Sequence, residues 1–251
     1  NVFFTSAATL NSQDGTISGG TSVGTERNNL LIDAGDGRVT FNANIGQTQR
    51  LGTFTIDRAQ AGVIFGGADS ATTGSTGPVT DVMTDDAINI GSGTTAADVI
   101  GGTGIRLNGG TSNLITFTTS DDDIRFNGSV KLQTHALIDT SNAGAGDITF
   151  TSDAPINSED GPGLATTTER NNLTLNAGTG SVFFNANIGT TQRLGTLTVD
   201  TASGGVTFGG ADTASTGSTG PVTDAMTDDA IDIGSGTTAA DVIGGTGIRL
   251  N

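Results

Sequence analysis

The sequence predicts an all-β fold of the β-solenoid class, on three observations. A Val-x-Phe phrase, or a close variant of it, restarts at a fixed step: Val39 to Val63, Ile124 to Ile148 and Val182 to Val206 are each 24 positions apart. Inside each step apolar and polar residues alternate, the period of a strand with one buried face. The chain also repeats itself on a larger scale. Glu26-Arg-Asn-Asn29 returns as Glu169-Arg-Asn-Asn172, and Gly104-Ile-Arg-Leu-Asn108 as Gly247-Ile-Arg-Leu-Asn251, both displaced by 143 positions. About four-fifths of the residues between these landmarks are identical, without a gap, which is the self-similarity of an array protein.

Composition supports the same class. Only 33% of the 251 residues are hydrophobic, Trp and Tyr are absent, and Gly occurs 40 times. Low hydrophobicity with a net charge of -16 also fits a disordered chain, but such a chain has no reason to keep alternation in register. A solenoid reconciles the two facts, because its core is narrow and its corners consume Gly, Asn and Asp. The acidic surface repels phosphates and anionic lipid, so neither nucleic acid nor membrane insertion is expected of it. Without Cys there is no disulfide framework. The first residue is not Met, and no apolar run has the length of a membrane span or signal peptide. The sequence therefore reads as a piece of something longer.

Taken in order, Val2-Phe-Phe4 matches Ile148-Thr-Phe150 at a displacement of 146, so the loop Gly15 to Thr25 is expected to be three residues longer than its counterpart. The runs around Val39, Phe54 and Val63 then read as strands, as do their copies around Val182, Leu197 and Val206. Each 143-residue unit is expected to hold five coils, opening near Ile124, Ile148, Val182, Val206 and Ile248, with the 19 residues from Ile105 to Ile124 closing the fifth. Two coils would carry insertions. The shorter includes Asn157-Ser-Glu-Asp-Gly-Pro-Gly163; the longer runs from Gly209 to Gly247, with a short helical turn started by Thr84-Asp-Asp86 in the equivalent stretch of the first copy. About nine coils at roughly 4.8 Å each would make a rod on the order of 40 Å long. The domain organisation is one continuous solenoid over residues 1–251, with residues 1–108 a partial copy of the repeat and residues 109–251 a full one.

Two copies of one sequence reveal which side chains point inward. Ile32 becomes Leu175, Phe54 becomes Leu197 and Ile56 becomes Val199, apolar for apolar, whereas Leu31 becomes Thr174, Thr40 becomes Phe183 and Ile64 becomes Thr207. Strict and tolerant positions alternate, as one buried face demands. Val39, Phe41, Ala43, Ile45, Phe54, Ile56, Val63 and Phe65 are therefore assigned to the core.

Enzymatic chemistry has little to work with, and no catalytic, cofactor-binding or metal-binding residue is assigned. His135 lies among Gln133, Thr134 and Ala136 with no nucleophile or carboxylate at suggestive spacing, and reads as surface decoration. Asp85 with Asp86, and Asp228 with Asp229, are adjacent, so on a strand they would face opposite ways rather than converge on a sugar. Asp121-Asp-Asp123 is the densest acidic cluster; it reads first as a solvated acidic turn, so no cofactor is expected, with Ca²⁺ the one candidate kept beside that reading. Asp98 to Gly110 approximates the Gly-Gly-x-Gly-x-Asp phrase of calcium-binding β-rolls but places Arg106 where the Asp should stand. The alternatives kept beside a structural role are thus a calcium-dependent surface binding module and a β-helix carbohydrate-active enzyme.

Gly146-Asp-Ile-Thr-Phe150, Asn172-Leu-Thr-Leu-Asn-Ala-Gly178, Ser181-Val-Phe-Phe-Asn-Ala-Asn-Ile-Gly189 and Leu194-Gly-Thr-Leu-Thr-Val199 together give the chain a recognisable style. It resembles the very large repetitive bacterial surface proteins grouped with filamentous haemagglutinin, over nearly its whole length apart from the long insertions. That resemblance implies a right-handed parallel β-helix, an extracellular or cell-surface setting, and a role in adhesion or matrix building. It carries over no functional residue. The expected function is a structural or adhesive segment of a long extracellular bacterial fibre. Its expected partner is itself, head-to-tail and laterally through the long insertions, with a cell-surface or matrix polysaccharide as a further candidate. Because Asn251 is equivalent to Asn108, a further copy could follow it directly.

Overall fold

A computed structural model describes residues 1–14, 26–68, 76–92, 98–141, 146–160, 169–211, 219–220, 222–234, 243 and 247–250. The loop Gly15 to Thr25 and the far ends of both insertions lie outside the described residues. Within them the protein is a parallel β-solenoid whose chain visits three sheets in turn. Sheet I has eight strands: Leu30–Asp33, Phe54–Arg58, Ile88–Ile90, Ile124–Phe126, Ile148–Phe150, Ser181–Phe184, Gly205–Phe208 and Ile248–Leu250. Sheet II stacks Val2–Phe4, Val39–Phe41, Val63–Phe65, Ile100–Leu107, Gly128–Leu132 and Ile156–Ser158, and sheet III stacks Asp81–Met83, Leu114–Thr118, His135–Asp139, Leu173–Asn176, Leu197–Thr201 and Ile231–Ile233. Eight rungs in sheet I span seven steps of roughly 4.8 Å, about 34 Å of axis, slightly less than the sequence suggested.

The strand starts read from the sequence stand directly above one another. Ile124 pairs with Ile148, Ile148 with Val182, Val182 with Val206 and Val206 with Ile248, all in sheet I. Val39 pairs with Val63 in sheet II. All eight assigned core residues are buried, all but Ala43 completely, and so is Phe184, the duplicate of Phe41. Because the pairing is parallel and in register, like side chains stack on like, and the phenylalanines form two rows. Phe4, Phe41 and Phe65 stack in sheet II, with centroids 4.9 and 5.1 Å apart, while Phe126, Phe150, Phe184 and Phe208 stack in sheet I at 5.2, 5.5 and 4.9 Å. Phe117, edge-on to both Phe65 and Phe126, joins the rows across the core.

The row changes sheet because the repeat itself turns. Val39–Phe41 belongs to sheet II, but its duplicate, Ser181–Phe184, belongs to sheet I; Phe54–Arg58 is in sheet I and its duplicate Leu197–Thr201 in sheet III. Fourteen sheet-to-sheet steps separate Val39–Phe41 from Ser181–Phe184, four full turns and two-thirds of a fifth. The expected five coils per unit are therefore corrected to four and two-thirds. The 19 residues from Ile105 to Ile124 cross from sheet II through sheet III to sheet I and never return to their starting side.

The longer insertion needs a second correction. Its middle is core: Val79, Val82, Ile88 and Ile90 are fully buried, and Asp81–Met83 and Ile88–Ile90 are strands of sheets III and I. Ahead of it, Gly67–Ala68 and Thr76–Gly77 form a small antiparallel pair outside the three sheets. Thr84-Asp-Asp86 starts no helix. Thr84 bridges to Leu51, and its hydroxyl donates to the Asp86 carbonyl at 2.6 Å, closing a corner. Thr119 and Thr140 close the next two corners of the same edge, each fully buried and donating to the carbonyls of Asp122 and Gly146. A hydroxyl that would be costly to bury alone thus satisfies a carbonyl that leaves the ladder at the bend. The shorter insertion likewise starts inside a strand, since Asn157 and Ser158 belong to sheet II.

Where the two copies differ at facing positions, the changes are coupled. Asp33 and Arg58 form an ion pair between rungs at 3.4 Å; their counterparts Asn176 and Thr201 form a neutral hydrogen bond. Either pairing satisfies both partners at the surface, so the rung spacing is indifferent to which is used.

Candidate functional site

The polar side chains that invite a catalytic reading are engaged in holding rungs together. Asp85 pairs with Arg27 and accepts the Ser120 hydroxyl at 3.0 Å, and one repeat later Asp228 pairs with Arg170. Both aspartates sit in bends rather than on strands, so the expectation that each Asp-Asp pair splits across a strand does not apply. In the Asp121–Asp123 turn, the Asp122 carboxylate accepts the Asp123 N–H at 2.8 Å and the Asp123 carboxylate accepts the Asp147 N–H of the next rung at 2.7 Å. Asp98 to Gly110 is largely an eight-residue bulged strand, with Ile100, Ile105 and Leu107 in the core. Its Arg106 reaches outward to Glu159 at 2.7 Å, and Lys131, directly beside it on the next rung, lies 3.5 Å from the same carboxylate. Among the described residues no three His, Cys, Asp or Glu side chains come together as a metal-holding group.

His135 is more than decoration. Its Nδ1 accepts the backbone N–H of Asn172, one rung on, at 3.0 Å. As an acceptor that nitrogen carries no proton. The side chain of Asn172 then does the same for Thr196 at 2.9 Å, and Asn29 for Thr53 at 2.8 Å. His135 therefore occupies an asparagine's place in a column of side chains that satisfy the amide at the head of the next strand. His135→Asn is expected to keep stability within ~0.5 kcal/mol, and His135→Ala to lose ~1 kcal/mol, the usual worth of such a bond; urea unfolding of the three proteins checks it.

Among the described residues, three of the five exposed large apolar side chains gather at one end. Phe208, Val222, Ala225, Ile231, Ile233 and Leu250 line a hollow of about 450 Å³, with Thr223 and Asp224 at its rim. Ile231 is 43%, Ile248 51% and Leu250 78% exposed, whereas their duplicates Ile88, Ile105 and Leu107 are fully buried. The sequence did not mark this surface, because Val222 to Ile233 read as part of a protruding insertion. The alternation in Ile88-Asn-Ile90 and Ile231-Asp-Ile233 was the available signal. Among the described residues no helix is long and apolar enough to cross a membrane. No protein-family model matches the chain, and comparison with curated proteins and with solved structures finds no match either.

Proposed function

We propose that this chain is a structural segment of a long repetitive fibre or surface protein of the extracellular, bacterial type, in which repetition supplies length and stiffness and the outward faces supply adhesion. The observation that supports this reading most directly is that the ladder passes from one copy of the repeat to the next without interruption. Ile105–Leu107, the last strand of the first copy, pairs with Val63–Phe65 on one side and with Val130–Leu132 on the other, Arg106 beside Lys131. A rung that pairs equally on both sides has no built-in stop, and in a solenoid stability then grows with each added neighbour.

Each unit of four and two-thirds turns should add about 22 Å to a rod and rotate equivalent strands by a third of a turn, so that three units restore the starting face. The test has two parts. Electron micrographs of chains carrying one, two and three further units should show rods lengthening by that step. Antibodies raised against the protein should label filaments on intact cells of the source organism. Compact particles of constant length, or label confined to the cell interior, would defeat the proposal.

A further inference from the structure

We infer that the hollow bounded by Phe208, Ile231 and Leu250 is a binding seat for one particular rung, that formed by residues Gly109 to Asp139 in a following copy of the repeat. The inference rests on the fibre reading and names the partner of its open end. The molecule itself displays the filled version of the seat, because the first copy carries the same wall residues. There, Val82 lies beside Phe117, Ile88 beside Ile124, Ile90 beside Phe126, Ile105 beside Val130 and Leu107 beside Leu132. The Phe117 ring closes the gap over Phe65, edge-on at a centroid separation of 5.2 Å, and Phe65, Val79, Val82 and Leu107 are all fully buried as a result.

At the equivalent end of the second copy, Phe208 stands where Phe65 stands, Val222 where Val79 does, and Leu250 where Leu107 does. Ala225 in place of Val82 is the sole change among the six apolar wall residues. The rim is unchanged as well, since Thr223 and Asp224 repeat Thr80 and Asp81. The backbone matches the side chains. In the first copy the N–H groups of Ile88, Ile100 and Thr84 donate to Asp123, Asn127 and Thr118 of the covering rung at 3.0, 2.8 and 2.9 Å. A cover for the second copy must therefore accept from the corresponding edge as well as fill the hollow. A loose apolar helix could do only the second.

Because the second copy is turned by one sheet, the cover must be turned likewise. Its Phe117-bearing strand would join sheet II above Ala225, rather than sheet III as it does above Val82.

The test extends the full chain at Asn251 with a copy of Gly109 to Asp139 and follows backbone hydrogen exchange at Ile231–Ile233 and Ile248–Leu250. Exchange there should slow by ~100-fold, while strands deep in the rod, such as Ile148–Phe150, do not change. Binding of an apolar fluorescent dye to the end should fall away. The same extension carrying Phe117→Asp and Ile124→Asp in the appended part should give no protection. The inference is overturned if the native extension leaves exchange unchanged, or if the doubly substituted one protects equally well. It is also overturned if the unextended chain protects this end by pairing with a second copy, seen as concentration-dependent mass. Protection here with no filament on the cell surface would sink the fibre reading and leave the seat standing.

Discussion

Phe150→Ala is expected to cost ~3–5 kcal/mol of stability, the range for truncating a fully buried aromatic residue. Phe150 is 1% exposed and sits between Phe126 and Phe184 with its ring nearly parallel to both, so truncation opens a gap in the middle of the row rather than at its end. The neighbours cannot collapse into that gap, because each is held at the rung spacing by its own ladder of backbone bonds. The contrast is Phe183→Thr, which alters an outward-facing residue on the next rung, beside Phe184. The first copy carries Thr40 at that position, so its effect should stay within ~0.5 kcal/mol. Urea unfolding of both variants, with exchange at the amides of Ile148–Phe150 as a local readout, separates the two. Equal losses would mean that the aromatic row is not what holds successive rungs together.

That contrast also marks how far the sequence is legible. Residues that stack on their own kind announce themselves, because parallel in-register pairing forces the same phrase to recur at each rung. Val39, Phe41, Val63 and Phe65 could therefore be assigned to the core from spacing alone, and the structure buries all four. Residues that stack on something different do not. Ile88-Asn-Ile90 offers one alternation in a field of Gly, Ser and Thr, and its partner above is Ile124-Arg-Phe126, 36 positions on, a step that no other phrase repeats. The column containing His135 was hidden for the same reason, since its role is defined by Asn172 on the next rung, 37 positions away.

The number of turns was hidden more deeply. A fixed step of 24 shows that two strands are stacked, but nothing in the spacing says which side of the coil a strand occupies. That is decided by corner geometry. The 19-residue interval from Ile105 to Ile124 traverses two sides of the coil, while the 42-residue interval from Val206 to Ile248 completes a single circuit. Loop length varies at almost no energetic cost, so counting residues cannot count turns. The rotation of the repeat is the consequence. The two copies keep nearly the same core residues while exchanging sheets, which works only because all three sides present similar strands to a shared apolar interior.

The corners set the tightest limits, and Gly46→Ala is expected to cost ~3 kcal/mol or more, against ~1 kcal/mol for Gly35→Ala. Both glycines hold a left-handed backbone, with φ of +73° and +55°, so both substitutions carry the conformational penalty of a side chain there. Only Gly46 adds a collision. A Cβ on it would lie 2.0 Å from the carbonyl oxygen of Met83 on the next rung, whereas one on Gly35 would meet nothing nearer than the Arg58 guanidinium at 3.6 Å. The Met83 carbonyl cannot swing aside, because it accepts from the Leu51 N–H and its rung is pinned at Met83 N–H by Ile45. Gly189 stands in the same relation to Met226, at 2.1 Å, so the constraint returns with the repeat. The difference between the Gly46 and Gly35 variants, measured by urea unfolding under identical conditions, isolates the cost of forcing two rungs apart at a corner. A difference near zero would mean that the corners can open, and a solenoid whose corners open would bend where a stiff fibre must not.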